Sequence, residues 1–243
     1  MDTQIESFEE RTKPIKGLFN WTMGYRQDSD IVHSFGSVAR KNHTDATRDA
    51  VLVKRLRSKS HLVAWYPTRC GGSAAEYVAR LASHVSVDVY GRCGNLRCQT
   101  LSFYDHDEDC YEMLAGKYFF VLVFETDTCA DFLTRALHRF LRYDVVPVVK
   151  GGANYSAVTP PGSVVDVKQY PEPYEVAALM MKSAVNFTQY SEYLSWKRDH
   201  DVILHDHDDF CGLCDKLYSK EYVKKSSHED VNAWWHSGTN CVM

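Results

Sequence analysis

The stretch Lys117–Gly152, KYFFVLVFETDTCADFLTRALHRFLRYDVVPVVKGG, reads as strand, turn, helix and strand. Phe119–Phe124 is a nearly unbroken apolar run of aromatic and β-branched residues, as a strand buried on both faces requires. Leu133, Ala136, Leu137, Phe140 and Leu141 recur at helical spacing. Val145–Val149 is a second apolar strand, which Pro147 marks as short or peripheral because proline donates nothing to a ladder. The whole is a βαβ unit. Its polar strand-to-helix turn stands where nucleotide-binding α/β folds hold a phosphate.

Upstream, His61–Tyr66 is a strand, Pro67–Gly72 a turn, Ser73–Ser83 a helix and Val85–Tyr90 a second strand, so the α/β alternation begins there. Arg92–Cys110 is an irregular, cysteine-bearing excursion between the two units. Downstream, helical patterns over Glu175–Ser183 and Phe187–Lys197 close the domain. The expected organisation is therefore an N-terminal remnant over 1–40, a charged linker over 41–60, a main α/β domain over 61–200 and a cysteine-bearing tail over 201–243. The basic run at the end of the linker, KRLRSKS, reads as a solvated helix face.

The 243 residues suffice for a real core. A net charge of −4, with lysine and arginine scattered rather than gathered in a stripe, argues against nucleic acid. Eight cysteines and four N-x-[ST] sequons, at Asn20, Asn42, Asn154 and Asn186, together favour an oxidising secretory compartment. No run of roughly 18 apolar residues marks a membrane span, and the N-terminus lacks an apolar signal core. The expectation is a piece of a longer precursor whose anchor and first domain are absent, with a cytosolic α/β enzyme of another chemistry as the distant alternative.

Several clusters have bland readings. Asp28-Ser29-Asp30 resembles a metal-binding Asp-x-Asp but is too short a pattern to carry one. His205-Asp206-His207-Asp208-Asp209 has ligand chemistry, yet alternate residues of an extended tail rarely converge on one ion, so it reads as a solvated acidic segment. Cys211-Gly-Leu-Cys214 lacks a second pair at zinc-knuckle spacing, and a disulfide role that ties down the tail is expected instead. Trp234 and Trp235 are expected to pack.

Taken together, FNWTMGYRQDSDI (Phe19–Ile31), VDVYGRCG (Val87–Gly94), DCYEML (Asp109–Leu114), the βαβ unit and FCGLCDKL (Phe210–Leu217) resemble the α1,3-fucosyltransferases, above all the invertebrate and plant branch that fucosylates the N-glycan core. The resemblance runs in order from about residue 5 to residue 217. It implies an α/β fold: the Rossmann-like donor domain of a GT-B glycosyltransferase, with a truncated acceptor domain before it. It also implies a Golgi type II membrane enzyme with a luminal catalytic domain, held by a segment outside this chain. GDP-fucose would be the donor, a glycoprotein N-glycan the acceptor, and transfer would invert the anomeric centre without metal or other cofactor.

Inverting transfer needs a base for the acceptor hydroxyl and groups that hold the departing diphosphate. By resemblance the base is Glu6, in the text Ile5-Glu6-Ser7-Phe8. The donor side would draw on Tyr25, Arg26, Phe35, Thr68, Arg69, Glu125, Thr126, Phe132, Thr134 and Arg135. The family pattern is altered here. Where it has Phe-Glu-Asn-Ser, Asp-Tyr and Thr-Glu-Lys, this chain has Phe124-Glu125-Thr126-Asp127, Asp131-Phe132 and Thr134-Arg135-Ala136, and Ala74 stands near the family's phosphate arginine. Losing two phosphate cations without replacement costs roughly 3–6 kcal/mol. Arg69 and Arg135 are new cations close to those lost. The alternative is a catalytically impaired paralogue that keeps the fold and binds a glycan or a partner.

Overall fold

The computed structural model describes residues 17–43, 48–98, 106–205, 210–219, 227–237, 239 and 241. Glu6, and Asp206 to Asp209 of the acidic tail segment, lie outside them. The core is a five-stranded, all-parallel sheet of β4 (His61–Trp65), β5 (Val87–Val89), β6 (Tyr118–Phe124), β7 (Val146–Lys150) and β8 (Val165–Asp166). Its spatial order is β5-β4-β6-β7-β8, so the chain winds one way to reach β5 and then reverses across β4 to β6.

The apolar run that begins at Tyr118 forms the middle strand because both its faces are covered. Val121 and Val123 point into one buried cluster with Leu114, Leu137, Phe140 and Leu141. Phe120 and Leu122 point into the other, with Leu56, Leu81, Val176 and Met180. Alternation along one strand thus feeds two cores, as a parallel sheet with helices on both sides demands. Helices α3 (His106–Lys117) and α4 (Arg135–Arg142) cover the first face. Helices α1 (Arg48–Arg57), α2 (Gly72–Leu81), α6 (Pro173–Val185) and α7 (Phe187–Glu192) cover the second, and the short α5 (Tyr155–Val158) follows β7.

Three expectations are corrected. The stretch expected as a linker carries α1, whose Leu52 and Leu56 are buried in the core, and Lys59 turns inward to donate to the carbonyls of Ala115 and Tyr118 at the end of α3. The strand containing Pro147 is short but not at the edge: it pairs with β6 along its length and with β8 at Val148 and Val149. Proline is tolerated because β8 begins opposite Val148, leaving that side of the strand unpaired at Pro147. Within the Arg92–Cys110 excursion, the part from His106 onward is the start of α3, whose acidic first turn masks the helix in the sequence.

The N-terminal part and the tail belong together. Strand β3 (Gly36–Arg40) pairs antiparallel with β9 (His200–Leu204), and the small parallel pair β1 (Met23–Gly24) and β2 (Ile31–Val32) packs beside α8 (Cys211–Tyr218). The last helix is α9 (Val231–His236). Disulfides join Cys70 to Cys93, Cys98 to Cys110 and Cys129 to Cys241. The tail is therefore tied by Cys241, while Cys211 and Cys214 are exposed on α8 and enter none of these bonds. Among the described residues no helix is long and apolar enough to cross a membrane.

Candidate functional site

In an open parallel sheet the ligand crevice lies at the carboxyl ends of the strands, where the winding reverses. Here that point is between β4 and β6. A cleft of about 270 Å³ opens there, lined by Trp65, Thr68, Arg69, Gly72, Phe124 and Thr126 among others. Gly71, before α2, has φ +113° and no side chain caps the helix, so its first turn, from which Gly72 and Ala74 line the cleft, keeps backbone N–H groups without a side-chain cap. The Cys70–Cys93 disulfide fixes the loop that carries Thr68 and Arg69.

A second cleft of about 550 Å³ lies on the other side of the 125–134 turn, lined by Tyr25, Phe35, Asp131, Leu133, His138 and Asn154 among others. The turn thus separates the two clefts. It is braced from inside. Glu125 is 2% exposed, and its Oε1 accepts from Thr134 N at 3.1 Å and Thr134 Oγ1 at 3.3 Å, which holds the residue before α4 to the end of β6. Its Oε2 has no hydrogen-bond partner, nor has the buried hydroxyl of Tyr155. Desolvation, set against the bonds from Thr134, pushes the Glu125 carboxyl up to about 7. His138, also buried, is held down to about 4 by burial and by His205.

The turn is also braced from outside, by the N-terminal segment and the tail. Gln27 N donates to Asp131 Oδ2 at 3.1 Å, Ala130 N donates to Thr239 O at 2.7 Å, and Cys129 is bonded to Cys241. Asp131 itself holds φ 60°, a left-handed conformation unusual for a residue with a side chain. Tyr25 meets Phe132 edge-on at 5.3 Å and Trp235 at 5.8 Å, so Trp235 packs, as expected. Arg26 is buried, and all five of its N–H groups are taken. Nε and Nη2 donate to the Asp28 carboxylate at 2.7 and 2.5 Å, Nη1 to the carbonyls of Trp234 and Trp235 at 2.7 Å each, and Nη2 to that of Ser237 at 2.9 Å.

The expected donor-side residues therefore divide into three groups. Thr68, Arg69 and Thr126 meet at the switch-point cleft; Tyr25 and Phe35 line the larger one, where the Arg135 guanidinium lies 5.4 Å from the Phe35 ring centroid. Arg26, Glu125 and Phe132 are buried and line neither, and Thr134 is held by Glu125. For Arg26 this corrects a donor-facing expectation: its geometry leaves no N–H for a ligand. Asp28 and Asp30 are likewise engaged, the latter accepting from Thr22 N and Oγ1 at 2.9 Å. Among the described residues no three His, Cys, Asp or Glu side chains gather as a metal site.

Sequence reasoning missed Lys150, the last residue of β7, whose Nζ donates to Ser73 Oγ at 3.1 Å beside the switch-point cleft. The signal was present: a charge ends the apolar run VPVV at the carboxyl end of a buried strand. Of the four sequon asparagines, Asn20, Asn42 and Asn186 are exposed, while Asn154, also exposed, lines the larger cleft.

Comparison with known proteins gives the family. The model of glycosyltransferase family 10 (fucosyltransferase), C-terminal part, matches residues 56–234. An α-(1,3)-fucosyltransferase C of Drosophila melanogaster is 32% identical over 90% of this chain and 54% of its own. Glycoprotein 3-α-L-fucosyltransferase A of the same organism is 28% identical over 94% of this chain and 45% of its own. α-(1,3)-Fucosyltransferase 4 of Mus musculus is 32% identical over 88% of this chain and 49% of its own. The chain thus spans about half the length of the relatives it matches. A crystal structure of an α1,3-fucosyltransferase aligns with a TM-score of 0.45 at 20% identity, over 58% of this chain and 38% of that one. With the family model covering most of its length, the chain belongs to the α1,3-fucosyltransferases of glycosyltransferase family 10.

Proposed function

We propose that this chain binds GDP-fucose and transfers L-fucose to a GlcNAc hydroxyl of a glycoprotein N-glycan, with inversion and without a metal. The observation that carries the reading is the switch-point cleft between β4 and β6, which joins Thr68, Arg69 and Thr126 to the uncapped end of α2. A diphosphate there meets backbone N–H groups and a guanidinium, the donors that stabilise charge as a nucleotide leaves. A nucleotide-sugar is larger than this cleft, so in this reading it extends over the 125–134 turn toward Tyr25 and Phe35. Glu6 takes the acceptor proton as the acceptor oxygen bonds to the anomeric carbon, and the bond from that carbon to the diphosphate breaks, releasing GDP. In this reading the GT-B partner domain, the Golgi lumen and the membrane tether belong to the protein of which the chain is the donor part.

Ala74 in the cleft wall, where a cation would help the diphosphate, favours the second reading, a paralogue that binds without transfer. The test is transfer from GDP-fucose to an N-glycopeptide by the secreted full chain, with and without EDTA. Transfer is expected to survive EDTA, to fall by about 100-fold or more in Glu6→Ala, and to need about tenfold more donor in Arg69→Ala. GDP-fucose binding without transfer would instead establish the paralogue.

A further inference from the structure

We propose that Lys150 is a diphosphate-binding residue, its ammonium serving the switch-point site together with the Arg69 loop, with Ser73 only its hydrogen-bond partner in the free protein. The inference rests on the donor reading of that cleft and names a contact which that reading did not contain.

The strand places the charge. Lys150 is the residue of β7 in register with Phe124 of β6, and Phe124 lines the cleft. Lys150 therefore ends its strand at the same level as the cleft floor. Its Nζ reaches across to Ser73 Oγ at 3.1 Å, and Ser73 stands between Gly72 and Ala74, both of which line the cleft. One of the three ammonium N–H groups is given to Ser73, and a hydroxyl can pass that bond to water or to an anion at little cost. Compare Arg26, whose every N–H is held by protein acceptors.

The charges around Lys150 are of both signs, and the cleft itself is lined by Asp127 as well as Arg69. Partial burial lowers the Lys150 pKa, Glu76 on α2 opposes that change and Lys168 adds to it. The ammonium is thus already partly stripped of water, and a second cation lies within reach of its field. Charge held this way beside a cleft attracts phosphate oxygens more strongly than a freely solvated lysine. The plain alternative is a structural hook, in which Lys150 only ties β7 to α2 through Ser73.

The experiment measures binding of inorganic diphosphate and of GDP to the full chain by calorimetry, alongside thermal unfolding. Lys150→Met is expected to weaken both ligands by about 10–100-fold, the range of a charge-assisted hydrogen bond, with unchanged unfolding. Lys150→Arg and Ser73→Ala are each expected to stay within about threefold of the native protein, because the cation remains. In turnover, Lys150→Met raises the KM for donor and leaves that for acceptor alone. Native affinity in Lys150→Met overturns the proposal, as does a Ser73→Ala loss equal to that of Lys150→Met, which marks a hook. Diphosphate binding that depends on Lys150, with no GDP binding, upholds Lys150 and refutes the nucleotide reading; binding of neither ligand refutes both.

Discussion

The guanidinium carbon of Arg26 lies 4.4 Å from the centroid of the Trp234 ring, and its Nη1 donates to the Trp234 carbonyl at 2.7 Å. One side chain from the N-terminal segment thus grips both the face of an aromatic residue in α9 and the backbone at that helix's end. Through Tyr25, wedged between Phe132 and Trp235, the grip extends to the 125–134 turn. The tail is therefore part of the support that shapes the cleft edges.

Arg26→Lys keeps the charge but loses the planar fork that serves Asp28 and three carbonyls at once. With part-buried carbonyls losing their donor while the exposed Asp28 turns to water, the expected loss of stability is about 1–2 kcal/mol. Urea unfolding measures it, and limited proteolysis should show the tail cut before the α/β core. A variant as stable as the native protein would mean that the grip is incidental.

The Cys129–Cys241 bond closes the longest loop among the three disulfides, with a sequence separation of 112. Constraint of the unfolded chain by a loop of that size is worth about 2–4 kcal/mol in practice. Cys241→Ser is expected to lower the unfolding free energy by that amount and to loosen Ala130 from Thr239. Hydrogen exchange at the Ala130 amide reports the second effect directly.

The sheet was legible because its strands declare themselves: Phe119–Phe124 and His61–Trp65 are apolar at every or nearly every position, and only burial on both faces explains that. The clefts' rims were half legible. Thr68, Arg69 and Thr126 follow strand ends and so fall in the crevice by topology alone. Arg26 and Glu125 did not read correctly, since their burial depends on partners about 208 and 9 residues away respectively. The same distance hid Cys241, whose mate is across the fold rather than in the local C-x-x-C. Lys150 was hidden because a strand-ending lysine looks solvated until the neighbouring helix is in place.

Gly152 shows how tightly the turn is held. A Cβ there would stand 2.0 Å from the Cys129 carbonyl oxygen and 2.5 Å from that of Thr128, so backbone must move. Gly152→Ala is expected to cost about 1–3 kcal/mol and to weaken GDP binding by shifting the 125–134 turn. Gly116→Ala is the control: nothing lies within 4 Å of its Cβ position, and helical alanine there should be neutral or stabilising by a few tenths to about 1 kcal/mol. Thermal unfolding of the two variants side by side checks the contrast.

The two buried groups Glu125 and His138 set opposing pH dependences. The folded pKa of Glu125, about 7, lies above its ordinary 4.5, so its contribution to stability is full below pH 4.5 and is lost as pH rises toward 7. That of His138, about 4, lies below its ordinary 6.5, so its contribution is full above pH 6.5 and is lost as pH falls toward 4. Each displacement is worth about 3 kcal/mol, and between pH 4.5 and 6.5 their opposite pH slopes nearly cancel. Removing one should expose the other. Relative to the native protein, Glu125→Gln should gain stability as pH rises from 4.5 to 7, because it no longer carries the cost of a buried carboxylate. His138→Gln should gain as pH falls from 6.5 to 4, because no imidazolium must be avoided. Urea unfolding at a series of pH values gives both differences, and slopes of the same sign for the two variants would refute the opposition.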